Sequence, residues 1–186
     1  NAYKPSSQPD WYAGPEGRQL WQTQFYQTNA MYYNPGVTYT PWPKYDSVTF
    51  TNADKDNPRS HPVNGSYTLS LEGTSYSVGG VNIPHSRYVV YSAIDSKHYL
   101  VVLDKASSSK KYYTFTVTGS GLAAKISALT PVSSPPDDVI GRSYDEEQQN
   151  FANWFTYYRR REFVAKNAFA NVIKSLSQVR VGIYGI

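Results

Sequence analysis

The side chains able to perform chemistry in this sequence are few and far apart. His61, His85 and His98 are the three histidines, and there is no cysteine. His61 precedes Pro62 in a loop, His85 follows Pro84, and His98 opens a strand-like run. None sits in an H-E-x-x-H spacing, and neither G-x-S-x-G nor a P-loop occurs. Without cysteine there are no disulfides, thiolate nucleophiles or zinc-thiolate sites. Asp137, Asp138, Asp145, Glu146 and Glu147 are the main acidic group. Asp145 and Glu146 have an explanation as helix-start residues, and Asp137-Asp138 lie in a proline-rich stretch. Asp54 and Asp56 invite a calcium reading, but Lys55 stands between them, and the central Gly and distant Glu of an EF-hand loop are missing. The sequence thus assigns no catalytic residue, metal ligand or cofactor, and a non-enzymatic protein is expected.

The basic residues point to no nucleic-acid partner. Net charge is +4, from 18 Lys and Arg against 14 Asp and Glu. Arg159-Arg160-Arg161 would fan around a helix rather than form a stripe. No stretch approaches the roughly 18 apolar residues of a membrane span.

Binding capacity lies in the aromatic residues, with 18 Tyr, 7 Phe and 4 Trp. Val37-Thr38-Tyr39-Thr40-Pro41-Trp42-Pro43 is extended, because residues before proline are pushed away from helical angles. Tyr32, Tyr33, Tyr39 and Trp42 form a docking or framework patch; the plainer role of such rings is to pin a long loop onto a neighbouring surface. A second reading places Trp11, Trp21 and Trp42 as the stacking platform of a secreted carbohydrate-binding or enzyme-accessory module.

These residues require elements to position them. Residues 1–44 read as an irregular aromatic lead-in with a short helix between 18 and 32. Residues 45–130 carry strand periodicity: 47–51, 66–71, 87–94, 98–103 and 110–118, with turns at Asn64-Gly65 and Gly79-Gly80 and a short connection at 95–97. Residues 126–129 are an edge strand or a bridge. Residues 131–142 are a proline-rich linker. Ser143 and Glu146 fit a capping box, and apolar residues from Phe151 to Leu176 recur at three- and four-residue spacing without Gly or Pro. One helix of about 30 residues is expected, followed by a short strand over 179–186. The fold class is α+β: a small antiparallel sheet, one long C-terminal helix and a short strand, with 143–186 as a separate piece. The strand stops abruptly, so a fragment cut within a domain is expected, its Phe151/Trp154/Phe155 face covered by the lead-in or a second copy, or partly exposed.

Two stretches carry a resemblance. Tyr32-Tyr33-Asn34-Pro35-Gly36-Val37-Thr38-Tyr39 and Glu146-Glu147-Gln148-Gln149-Asn150-Phe151-Ala152-Asn153-Trp154-Phe155-Thr156-Tyr157-Tyr158-Arg159-Arg160-Arg161 resemble the PilY/PilC-type proteins of type IV pilus assembly and tip adhesion. Val179-Arg180-Val181-Gly182-Ile183 is similar to that family's second core strand. The resemblance implies a partial von Willebrand factor A-like, Rossmann-like domain with a large insertion. It implies exported protein at the pilus tip or bacterial outer surface, with minor pilins, host or abiotic surfaces, or a second copy as partners. The family's Asp-x-Ser-x-Ser metal site is not in this sequence, so no metal ligand is carried over.

Overall fold

The computed structural model describes residues 15–44, 47–63, 67–136 and 141–176. Among these residues six strands form two sheets. Strands β1 (Thr74–Val78) and β2 (Val81–Pro84) make a hairpin; β3 (Arg87–Ser92), β4 (Lys97–Asp104), β5 (Ser109–Thr118) and β6 (Lys125–Val132) make a four-stranded sheet in that order. The β1–β2 turn is Gly79-Gly80, with φ of +54° and +80°. That is the backbone a tight hairpin needs and that a Cβ disfavours. Helix α1 (Pro15–Arg18) and a 3-10 turn at Trp21–Gln24 precede the sheets; α2 (Tyr144–Tyr157) and α3 (Arg161–Ser175) follow them.

The four-stranded sheet is covered on both faces along β3 and β4, where β4 is apolar at successive positions from Tyr99 to Leu103, while much of β5 and β6 is more exposed. One face presents Val89, Leu100, Val102 and Ile126 to Phe25 and to Tyr76, Val78 and Ile83 of the hairpin. The other presents Tyr88, Val101, Leu103 and Tyr112 to Phe151, Ala152, Trp154 and Phe155 of α2, with Tyr33 and Leu71 filling the same core. Hairpin and lead-in, sheet, and helix therefore form three layers. The Phe151/Trp154/Phe155 face is covered by this antiparallel sheet together with Tyr33 of the lead-in.

The antiparallel sheet and helices place the chain in the α+β class, but the Rossmann-like A-domain expectation is corrected. Every named strand pair is antiparallel, and parallel alignment is confined to the isolated Phe25–Val89 bridge. Connections 93–96, 105–108 and 119–124 are too short for the crossovers that parallel neighbours require. Among the described residues the strands expected at 47–51 and 66–71 do not form, residue 66 lying outside them; Thr68 makes an isolated bridge to Arg59. Residues 74–84 make a hairpin that the periodicity did not show, and 125–132 form a full strand. The turn at Asn64-Gly65 and the strand over 179–186 lie outside the described residues.

The single long helix is also corrected. Its start is as expected: the Ser143 side chain and Glu146 exchange both bonds of a capping box. It ends at Tyr157, and Arg160 is extended with φ −118° and ψ 143°. No Gly or Pro causes the break; tertiary contacts do, overriding propensity. Arg159 lies over the Phe155 ring and donates to Ser60 O, while the Tyr158 hydroxyl donates to Thr40 O. Resuming as α3 lets Phe163 bury against Trp42 and Tyr157. The rest of α3 is largely solvated, with Phe169 62% and Val172 56% exposed. Among the described residues no helix is long and apolar enough to cross a membrane.

Phe163 is the buried residue of α3, so Phe163→Ala should detach that helix. Hydrogen exchange should show loss of α3 protection with the sheet and α2 protected as before; the local cost is about 3 kcal/mol.

Candidate functional site

Helix α2 is buried almost all round, and what it buries is partly polar: Glu147, Gln148, Asn150, Asn153 and Thr156 lie inside. Buried amides are costly unless every donor and acceptor is met. Apart from Gln148 Oε1, which has no partner among the described residues, they are met by two irregular segments, 31–42 and 51–60, which run along two flanks of the helix.

Asn150 and Asn153 are one turn apart and share a face. Asn150 Oδ1 accepts the Tyr39 N–H (2.6 Å), and its Nδ2 donates to the Tyr33 hydroxyl (2.7 Å) and Val37 O (2.8 Å). Asn153 Nδ2 donates to Tyr39 O (2.9 Å), so the two side chains hold both polar groups of the Tyr39 backbone as a neighbouring strand would. Asn153 Oδ1 also accepts the Ala53 N–H (2.9 Å), which ties the second segment to the first. Gln149 donates to Ala53 O, Gln148 to Lys55 O, Thr156 to Arg59 O and the Tyr157 hydroxyl to Thr51 O.

At the helix start Glu147 is fully buried. It accepts from the Tyr33 hydroxyl (2.7 Å) and from Arg142 Nε (2.6 Å), while Arg142 Nη2 donates to Pro35 O. Burial, then the Glu147 carboxylate, pushes the Tyr33 hydroxyl far above its ordinary pKa. It stays a donor at any working pH.

Between residues 38–40 and 52–55 lies an open cleft of about 670 Å³, floored by α2 and bordered by Arg142, Lys55 and Asp145. Lys55 and Asp145 pair at its rim. Its lining holds amides, hydroxyls and charges, and pairs no nucleophile with a base. Asn150 and Asn153 of its floor are already spent on the segments. The cleft is thus a by-product of the clamp.

The structure brings Tyr32, Tyr33, Tyr39 and Trp42 together around α2. Tyr33 is 0% exposed, and Trp42 is buried with its indole N–H donated to Tyr157 O (3.0 Å). Tyr32 and Tyr39 are half-buried; the Tyr32 hydroxyl donates to Arg87 O, and that of Tyr39 accepts the Asn34 N–H. Any contact made by these side chains is therefore limited to ring edges of Tyr32 and Tyr39. The platform of three tryptophans is not assembled: Trp42 faces α2, Trp21 packs on Phe25, His98 and Phe115 across the sheet, and Trp11 lies outside the described residues.

The histidines sit in separate surroundings, His61 against Phe163 and His98 against Trp21. Asp54 accepts the Asp56 and Asn57 N–H groups, and Asp56 pairs with Lys105. Among the described residues no group of three or more His, Asp or Glu side chains could hold a metal; Asp137 and Asp138 are outside them. Arg159 is drawn inward, and burial together with neighbouring Arg160 pushes its pKa down to about 10.

The clamp residues Gln148, Gln149, Asn150 and Asn153 were not singled out from sequence. Their signal was the absence of any charged residue from 148 to 158, since a solvated helix face would carry Lys or Glu. With this geometry in hand, comparison with protein-family models, curated proteins and solved structures gives no match to the chain.

Asn150→Leu leaves the Tyr39 N–H and Val37 O without partners and should cost at least about 2 kcal/mol in urea unfolding. Exposed Asn171→Leu should stay within about 0.5 kcal/mol. A second expectation concerns pH. Burial, then Arg87 and Arg18, lowers His85 from 6.5 to about 4. The unfolded chain then holds more protons than the folded one between those values, so stability is full above pH 6.5 and falls as pH drops towards 4. His85→Gln should flatten that part of the urea-midpoint profile.

Proposed function

We propose that the chain is a non-enzymatic part of a type IV pilus biogenesis and tip-adhesin protein, exported to the outer surface and supporting pilus assembly and attachment. One observation carries the reading. The two stretches that resemble the PilY/PilC-type proteins, 32–39 and 146–161, are far apart in sequence yet bind each other residue by residue. Tyr33 meets Glu147 and Asn150, Tyr39 meets Asn150 and Asn153, and Val37 meets Asn150.

A chance likeness in two separate stretches has no reason to fall on both halves of one contact. A shared framework has that reason: the amides of one stretch are useful only with the backbone of the other. On this reading the shared residues hold the fold, and contacts with minor pilins, host or abiotic surfaces belong to the more exposed residues of the sheet, loops and α3.

The experiment removes residues 1–186 from the protein in the organism that makes it. Fewer surface pili and weaker attachment are expected, with antibody to the segment labelling pilus tips on unpermeabilised cells. Undiminished piliation and attachment would overturn the proposal.

A further inference from the structure

Most aromatic polar atoms around α2 are consumed internally. The indole N–H groups of Trp42 and Trp154 donate to Tyr157 O and Met31 O, and the hydroxyls of Tyr32, Tyr33, Tyr157 and Tyr158 are all bonded. On the far side of the sheet the pattern reverses. Tyr91 and His98 are cross-strand partners on β3 and β4. Phe115 of β5 follows one step beyond the Tyr99–Thr114 pair, so the three rings form a row on one face. Trp21 leans over this row, its ring centroid 4.5 Å from His98 and 6.0 Å from Phe115.

Beside Trp21 is a hollow of about 250 Å³, lined by His98, Phe115, Val117, Thr114 and Lys97. Among the described residues no hydrogen-bond partner meets the Trp21 indole N–H, the His98 ring nitrogens or the Tyr91 hydroxyl. None of these atoms is a sealed, unpaired group in the interior. Tyr91 is 41% exposed. Tyr91 stands on the other side of His98 from Phe115, outside the lining; at the hollow itself the Trp21 and Phe115 rings meet the unspent Trp21 N–H and His98 imidazole.

We propose that this hollow is a binding site for a single neutral pyranose ring, the terminal sugar of a glycan. The volume lies below the roughly 300–1,000 Å³ of pockets for drug-sized ligands and suits one ring. A pyranose has an apolar C–H face for Trp21 and Phe115, the two rings of the lining, which give contact area at little entropy cost. Its hydroxyls both donate and accept. Burial lowers the His98 pKa, and a neutral imidazole offers one donor and one acceptor, while Trp21 supplies a donor. A cationic ligand, the other usual guest of aromatic rings, is disfavoured by Lys97 at the rim. An acidic one gains little there, since Asp95 already faces that ammonium at 3.6 Å. The inference does not rest on the pilus reading, because it concerns the isolated chain.

The test is a titration of the purified chain with methyl glycosides of glucose, galactose, mannose and N-acetylglucosamine, followed on the tryptophan indole N–H signals. Trp21→Phe identifies its own signal by removing it. For at least one sugar the Trp21 signal should move with a Kd of about 1 mM, as a ligand of one ring permits, while the Trp42 and Trp154 signals stay still. Val117→Tyr, at an exposed position on the wall of the hollow, should fill it and weaken that binding at least about tenfold with the rest of the spectrum retained. The proposal is overturned if no sugar moves the Trp21 signal, if Val117→Tyr binds as wild type, or if tetramethylammonium moves it as strongly as the best sugar.

Discussion

A helix that buries amide side chains must find partners for them, and meeting every buried amide group of α2 but Gln148 Oε1 shapes the backbone around it. Helix α2 meets the sheet with Phe151, Trp154 and Phe155, an ordinary helix-on-sheet contact. Its other flanks carry Gln, Asn and Thr, for which apolar cover would be ruinous. Only backbone that is not already paired in helix or sheet can supply the missing donors and acceptors. Segments 31–42 and 51–60 are irregular for that reason: several of their N–H and C=O groups, among them both of Tyr39 and both of Ala53, go to side chains of α2. The irregularity and the buried amides are two halves of one arrangement.

The same arrangement divides the aromatic residues by task. Around α2 rings and polar tips are both used internally, so Tyr33, Trp42 and Trp154 fix the extended segments in place. On the opposite face of the sheet the lead-in contributes Trp21 to a row formed with Tyr91, His98 and Phe115, whose polar atoms stay available. A rigid sheet between these layers separates a framework side from a side with free recognition groups.

Much of this could be seen in the sequence, and the misses have physical causes. The capping box at Ser143 and the strands around 87–94, 98–103 and 110–118 were legible because capping and alternation are local. The break after Tyr157 was not. It is imposed by Ser60, Thr40 and Trp42, distant residues that reward Arg159, Tyr158 and Phe163 for leaving the helix path. The Rossmann-like expectation came from resemblance and from a helix followed by a strand-like run; the short connections between strands 87–132 argued for antiparallel pairing instead. Tyr32, Tyr33, Tyr39 and Trp42 stand out in the sequence as a group with framework or docking roles, whereas nothing local marks the Asn150 and Asn153 side chains that organise them. Trp21 was noticed, but its neighbours Tyr91, His98 and Phe115 come together only through strand register.

If extended backbone is held by α2 as a strand is held by its neighbour, residues without regular secondary structure must behave as core. Amide hydrogen exchange at Tyr39 and Ala53 measures this directly, since their N–H groups are bonded to Asn150 and Asn153. Protection comparable to that of Leu100 and Val101 in β4 is the result the clamp predicts. Exchange as fast as in an exposed loop, with β4 still protected, would contradict it.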